Sequence, residues 1–221
     1  MSYCLVIGNK NYSSWSMRAW LLLRFAGAPF EERKISLYRA GSRAQVESFG
    51  GETGLVPVLI DGEIKIWDTL AITEYLFEVY PQIWPSDRRD RARARSLSGE
   101  VHSSFNALRD AMPVNARGRN RLAQRSAAVI ADIARVRAIW AQTGVRDTGP
   151  WLFGEFCAAD IMFAPVASRF QTYDVELEDK AKAYRKNLLD HPLVQEWFAL
   201  GSAEPEVIDR FELPHIDSTR G

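Results

Sequence analysis

The chain has 221 residues, 47% of them hydrophobic and 25% charged, with 28 basic side chains against 28 acidic ones. An ordinary charged fraction argues against wholesale disorder, and this length can bury a sizeable core in one large domain or two small ones. Residues 1–80 carry 8 basic and 9 acidic side chains and the rest 20 and 19, so neither part has the basic excess of a nucleic-acid binder. Cys4 and Cys157 are the only cysteines and form no CxxC, which argues against a disulfide framework and a cysteine zinc site. The first residues lack the charged and long apolar regions of a signal peptide, and no run of about 18 apolar residues exists, so the expectation is a cytoplasmic protein without a membrane span.

In chain order, residues 3–7 form a short run of strand formers, broken by Gly8, Asn9, Lys10 and Asn11. A helix is predicted from Ser13 or Ser14 to about Ala26. Its apolar residues cover most of its circumference, which suits burial on several sides. Gly27 is a stop signal and Pro29 cannot extend the helix. Residues 30–37 can form a second strand, which makes a βαβ unit with a parallel pair and a right-handed crossover. A short helix is predicted at 42–49, a strand at 56–60 beginning with Pro57, a hairpin at Asp61-Gly62, and a returning strand at 63–67. Asp68 or Thr69 then caps a helix to about Val79.

Pro81 and Pro85 bracket a linker, after which the pattern is helical only. Helices are predicted over 86–111, where Met112-Pro113 interrupts, and over 122–140, where Leu122, Val129, Ile130, Ile133, Val136 and Trp140 recur at helical spacings. A loop at 144–150 precedes an apolar helix at 157–172, with a kink expected at Pro165. Helices follow at 178–189 and 193–200, and the tail from Glu204 has no clear period. The predicted fold is therefore α/β plus all-α: βαβ, a short helix and ββα in residues 1–80, a linker at 81–85, and an all-helical domain at 86–221.

Three short motifs could carry chemistry. Asn11-Tyr12-Ser13-Ser14-Trp15-Ser16-Met17-Arg18 sits where the first strand joins the first helix. Its serines can simply cap the helix. Alternatively, a hydroxyl at the positive end of a buried helix stabilises an anion, and a thiol bound there ionises more readily. In Val56-Pro57-Val58-Leu59, proline can merely start the strand, or a cis Val56–Pro57 bond can turn the Val56 backbone outward to pair with an extended peptide. Asp68-Thr69 can be an ordinary N-cap, or an exposed helix start that binds a carboxylate through the Thr69 hydroxyl and backbone N–H.

The order SSxSxR, then VPVL, then DTxAIxxYL within one βαβββα-sized stretch closely resembles the N-terminal domain of cytosolic glutathione transferases. Ser13-Ser14-Trp15-Ser16-Met17-Arg18 looks most like the serine-type, zeta-like motif Ser-Ser-Cys-x-x-Arg. In the second half, Gly154 to Ile161 is similar to that family's G-x-x-[ST]-x-A-D-I element, and His191-Pro192-Leu193-Val194 with Trp197 to its late helix. The resemblance implies a thioredoxin-like first domain, an all-helical second domain forming the electrophile pocket, and a homodimer. It implies glutathione as co-substrate, a small electrophile as partner, and no metal, membrane or nucleic acid. Carried over, Ser13 or Ser14 would hydrogen-bond the glutathione thiolate. Val56, before a cis Pro57, would pair with the cysteinyl backbone, and Asp68 and Thr69 would hold the γ-glutamyl end. Trp15 would line the site.

Two departures bear on function. Trp15 replaces the cysteine of the zeta-like motif, which counts against maleylacetoacetate isomerisation. Cys157 stands where a capping serine or threonine is usual, leaving Asp160 to satisfy the turn. Arg18 is read first as pairing within its own domain, with contact to the thiolate or the ligand as the alternative. Arg88, Arg89, Arg91, Arg93 and Arg95 are read as a solvated helix face, with attraction of an anionic co-substrate as the second reading. His102, His191 and His215 have no metal spacing. The leading function is thiolate attack on an electrophilic carbon. The alternatives are a non-catalytic binding module of the same fold and a glutathione-dependent isomerase or peroxidase.

Overall fold

The computed structural model describes residues 2–143 and 149–216; residues 144–148 of the predicted 144–150 loop lie outside the described residues. Four strands, β1 (Tyr3–Ile7), β2 (Phe30–Lys34), β3 (Val58–Asp61) and β4 (Ile64–Trp67), form one mixed sheet in the order β2-β1-β3-β4. β1 and β2 are parallel, with Tyr3 opposite Phe30 and Ile7 opposite Lys34. The pairings of β1 with β3 and of β3 with β4 are antiparallel. Side chains alternate across a strand, and β1 shows it. Leu5 and Ile7 join the core under helices α1 (Ser14–Ala26) and α3 (Thr69–Phe77). Val6 joins a small cluster with Ile35, Val46 and Val58 under α2 (Ser42–Ser48). The edge strand β2 is largely charged and exposed, which discourages pairing with another chain.

The thioredoxin-like unit is followed by a helical one: α4 (Arg88–Ser103), α5 (Asn106–Ala111), α6 (Ala127–Trp140), α7 (Ala158–Thr172), α8 (Asp179–Asp190) and α9 (Pro192–Ser202). α1 is buried on nearly every side because α3, α7 and α9 all pack on it, and its core includes Ala158, Ala159, Ile161 and Trp197 of the helical unit. The two units therefore share this core, and the helical unit has a second one around Phe105, Trp140, Phe163 and Phe170. Among the described residues, no helix is long and apolar enough to cross a membrane.

Three local expectations differ from the structure. The hairpin loop is Gly62-Glu63, since Asp61 still pairs with Ile64; Gly62 takes φ 57°, a conformation glycine adopts without steric cost. The helix predicted over 86–111 is two helices, broken at Phe105, which has φ 61° and is buried. Burial of that ring in the helical core outweighs local helix propensity. Leu122 lies outside α6 and is exposed, its N–H bonded to the Pro214 carbonyl; the apolar period begins only after the Ser126 cap. α7 contains Pro165 within its span Ala158–Thr172.

The α7 cap uses both halves of its box. The Asp160 carboxylate accepts from the Cys157 N–H at 3.0 Å, the Leu152 N–H at 3.2 Å and the Tyr184 hydroxyl at 2.7 Å. The Cys157 sulfur accepts from the backbone of Ala159 and Asp160, so Asp160 does not act alone.

Candidate functional site

The sheet topology gathers the three motifs. Because β1 runs parallel to β2 and antiparallel to β3, and β3 antiparallel to β4, the ends of β1 and β4 and the start of β3 share one edge. From that edge leave the loop to Ser13 and Ser14, the approach from Val56 and Pro57, and the exit to Asp68 and Thr69.

The two adjacent serines have different work. Ser13 is the N-cap of α1: its Oγ accepts from the Ser16 N–H at 3.3 Å and donates to the Ser16 Oγ at 2.8 Å. Ser16 Oγ in turn accepts from the Gly8 N–H at 2.9 Å, which ties the end of β1 to the helix. Ser14 is the first residue of α1, and its Oγ accepts only a long contact, 3.5 Å, from Arg169 Nη2 of α7. Among the described residues its hydroxyl proton has no acceptor, so it is the serine free to donate to an incoming anion.

The Val56–Pro57 bond is cis. Val56 is half-buried against the small cluster under α2, and no described residue hydrogen-bonds its backbone N–H or carbonyl. Asp68 holds φ 76° and ψ 134°, a conformation that costs a non-glycine residue about 1–3 kcal/mol and clusters at functional sites. One of its oxygens caps α3 through the Leu70 N–H at 2.8 Å, and the other meets His102 Nε2 of α4 at 3.0 Å. Thr69 is buried rather than exposed, because the first turn of α3 packs inward, and its Oγ1 has no partner.

Trp15 stands among cations. The Arg18 and Arg109 guanidinium carbons lie 4.6 and 4.9 Å from its ring centre, and His102 meets it edge-on at 5.1 Å. Arg18 is fully buried; its Nε donates to the Met162 carbonyl of α7 at 2.9 Å, and both Nη atoms lack partners. It thus reaches across to the helical unit instead of pairing within its own domain. Arg109 Nη1 and His102 Nδ1 are also buried without partners. Arg169 is buried and anchored by the Met112 carbonyl at 2.7 Å and the Pro165 carbonyl at 3.3 Å.

Burial, then the charges of Arg109 and Arg169, hold the Arg18 guanidinium well below its ordinary range, with Asp68 acting the other way. Burial and Arg109 lower Arg169 to about 9. Burial lowers Arg109, against the charge of Asp132. His102 is pushed below its ordinary 6.5 by burial and the two neighbouring arginines, against the pull of Asp68. Each unpaired buried donor costs about 1–3 kcal/mol, more when charged. Arg18, Arg109 and Arg169 repel one another, with Asp68 acting on Arg18 and Asp132 on Arg109, and form a region that an anion would neutralise.

Residues 12–79 match the family model "Glutathione S-transferase, N-terminal domain", and that stretch contains the Ser14, Val56 and Asp68 segments just described. That stretch, about a third of the chain, is thus similar to the N-terminal domain of glutathione S-transferases. Over 172 residues it is 29% identical to the maleylacetoacetate isomerase of Rattus norvegicus, covering 75% of this chain and 77% of that protein. A probable maleylacetoacetate isomerase of Vibrio cholerae is 30% identical over 100 residues, 43% of this chain. The match spans 46% of the Vibrio protein, about half its length. Among solved structures, a glutathione transferase homolog from Burkholderia GL BGR1 with bound glutathione superposes with a TM-score of 0.72 at 25% identity, covering 92% of this chain and all of that one.

Within this glutathione S-transferase fold, Arg109, Arg169 and His102 were not among the predicted site residues. Arg169 left a signal: apart from Asp160 it is the one charged side chain within Ala158–Thr172, and a lone arginine in a buried apolar helix needs an explanation. Arg109 and His102 left none, since they reach the site only when α4 and α5 fold against Trp15. Among the arginines of residues 88–95, Arg95 pairs with Glu74 at 2.7 Å, Arg91 with the Pro85 and Ser86 carbonyls, and Arg93 with Gln142. These hold α4 to the linker and its neighbours and take no part in the site.

Proposed function

We propose that this protein is a glutathione transferase that stabilises the glutathione thiolate at the Ser14 hydroxyl and the start of α1, for attack on a small electrophile carrying a carboxylate or similar negative charge. The observation that carries this reading is the uncommitted Ser14 hydroxyl on the first residue of a buried helix, beside arginines with unpartnered N–H groups. The remaining site residues fit glutathione. The free backbone of Val56 suits the cysteinyl segment, and the partly exposed Asp68 carboxylate suits the amino group of the γ-glutamyl end. In the reaction the thiolate supplies the electron pair of the new carbon–sulfur bond, and the leaving group departs with its own pair. Lowering a thiol pKa by about two units takes roughly 2.7 kcal/mol, within reach of a helix start and one or two charge-assisted hydrogen bonds. The arginines play a second part, holding the electrophile by its charge against the helical unit.

An isomerase reading has one observation in its favour, the 75% coverage of the chain by a relative named maleylacetoacetate isomerase. Trp15, at the cysteine position of the zeta-like motif and flanked by Arg18 and Arg109, weighs against it. We further take residues 1–80 as the glutathione-binding unit, 81–85 as linker and 86–221 as the electrophile-binding unit of a cytoplasmic homodimer.

Conjugation of an α-halo carboxylic acid and of its methyl ester tests the reading. The acid is expected to have the higher kcat/KM by about tenfold or more, 1.4 kcal/mol, and Arg169→Met to abolish the preference. Equal rates on acid and ester would remove the anionic substrate. Failure of glutathione to bind in calorimetry would remove the transferase and leave a non-catalytic role.

A further inference from the structure

The tail from Glu204, which shows no period in sequence, folds back on the loop that delivers the site serines. Asn11 is fully buried with its polar groups paired: its N–H donates to Glu204 Oε2 at 3.2 Å, its carbonyl accepts from the Ala116 N–H at 3.0 Å, its side-chain amide donates to Asn115 Oδ1 at 3.2 Å, and its Oδ1 accepts from the Arg117 N–H at 3.0 Å. Tyr12 is buried too. Its hydroxyl donates to Glu212 Oε1 at 2.6 Å and accepts from Arg117 Nη2 at 3.0 Å and the Ile208 N–H at 3.3 Å. Glu212 is held by Arg121 at 2.6 Å and by the Asn115 side-chain amide at 2.9 Å. Arg117 binds the Glu204 carbonyl at 2.7 Å and the Glu206 carbonyl at 2.9 Å.

These bonds join three segments: the loop before Ser13, the irregular stretch 113–121, and the tail. The same stretch is fastened to α7, since Tyr173 donates to the Pro113 carbonyl at 3.0 Å and Arg169 to that of Met112. One network thus grips both partners of the Ser14–Arg169 contact, the serine through its preceding loop and the arginine through α7.

We infer that the C-terminal tail sets the position of Ser14, with Tyr12 and Glu212 as positioning residues that never touch the substrate. This rests on the Ser14 thiolate reading above. A loop without secondary structure has many accessible conformations, and a buried tyrosine with three hydrogen bonds selects one. Displacing the start of α1 by a fraction of an ångström moves the Ser14 hydroxyl and the helix N–H groups away from the sulfur together.

The test is the ultraviolet titration of glutathione bound to the full-length protein, with Tyr12→Phe, Glu212→Gln, the double variant and Ser14→Ala. Tyr12→Phe and Glu212→Gln are each expected to raise the bound thiol pKa by about one unit, a tenfold loss of thiolate near neutrality, with kcat reduced and KM for glutathione nearly unchanged. The double variant should be no worse than either single one, because both cut the same link. A thiol pKa that stays at the wild-type value while the melting temperature falls would make Tyr12 merely structural and overturn the inference. Should Tyr12→Phe fail to fold, Glu212→Gln decides on the same criterion. If Ser14→Ala leaves the thiol pKa unmoved, the serine reading itself falls, and the inference with it; if only Ser14→Ala responds, the inference alone falls.

Discussion

Ser14 Oγ and Arg169 Nη2 lie 3.5 Å apart, although the residues are 155 positions apart in sequence and sit on the first helix of one unit and the central helix of the other. That distance is long for a hydrogen bond. It leaves the serine proton and the guanidinium both able to turn toward a third group. An anion between them would be met by a hydroxyl, a helix start and a positive charge at once.

The neighbouring serines should therefore separate on substitution. Ser14 is buried, but its hydroxyl makes only the one long contact with Arg169, so Ser14→Ala is expected to cost no more than about 0.5 kcal/mol, the low end for a lost hydrogen bond. It should raise the pKa of bound glutathione by about one to two units, a ten- to hundredfold loss of thiolate at neutral pH. Ser13→Ala removes the N-cap and one contact to Ser16, and should cost about 1 kcal/mol of stability. Urea melts paired with ultraviolet thiolate titration read both effects; equal behaviour of the two variants would contradict the division of labour.

Arg18 is a buried cation with no carboxylate partner in hydrogen-bond contact. Replacing a buried charge with an apolar side chain of similar volume is often neutral or stabilising by about 1–4 kcal/mol. Arg18→Met is accordingly expected to keep or raise the urea midpoint while weakening competitive inhibition by small dicarboxylates. A stability loss of several kcal/mol would mean the guanidinium is structural after all.

His102 gives a pH dependence with a definite sign. Its folded pKa lies below the ordinary 6.5, so the unfolded chain binds protons more readily in this range. Its contribution to stability is complete above about 6.5 and is lost as the pH falls through the folded value. The drop in urea midpoint between pH 7.5 and pH 5.5 should be larger for the wild type than for His102→Gln. The comparison cancels Asp160, whose carboxyl burial pushes up to about 6 and whose contribution runs the opposite way, complete below its ordinary value and lost as the pH rises through 6. Identical slopes in the two proteins would refute the assignment.

Cys157 is 3% exposed and its thiol is pushed well up, chiefly by burial. It should resist a disulfide reagent in the folded protein and react only on unfolding, whereas the partly exposed Cys4 is expected to react first. Cys157→Ser exchanges a weak cap acceptor for a strong one and should raise stability by up to about 1 kcal/mol. Rapid native-state labelling of Cys157, followed by mass spectrometry, is the outcome that contradicts this.

The elements of the first unit were legible from local pattern. A run of strand formers broken by glycine, a serine cap followed by an apolar helix, and a proline-led strand with its hairpin all act within a few residues of themselves. In the second unit, the break at Phe105 and the late start of α6 escaped, because each depends on where a ring or a cap finds its tertiary partner. The tail was unreadable for a related reason. Asn11, Tyr12, Glu204 and Glu212 obey no period, and their hydrogen bonds close only once the chain has come full circle.

The sequence by itself determined the two-unit architecture, the resemblance to glutathione transferases, and the three segments at the sheet edge, since capping, strand propensity and turn chemistry are short-range forces. Tertiary structure decided which serine is free, because the Ser16 hydroxyl captures Ser13 and spares Ser14. It also decided that Arg18, Arg109, Arg169 and His102 surround Trp15 or its neighbour. Electrostatics depends on distance through space and on exclusion of water, and neither is defined until α4, α5 and α7 have packed against α1.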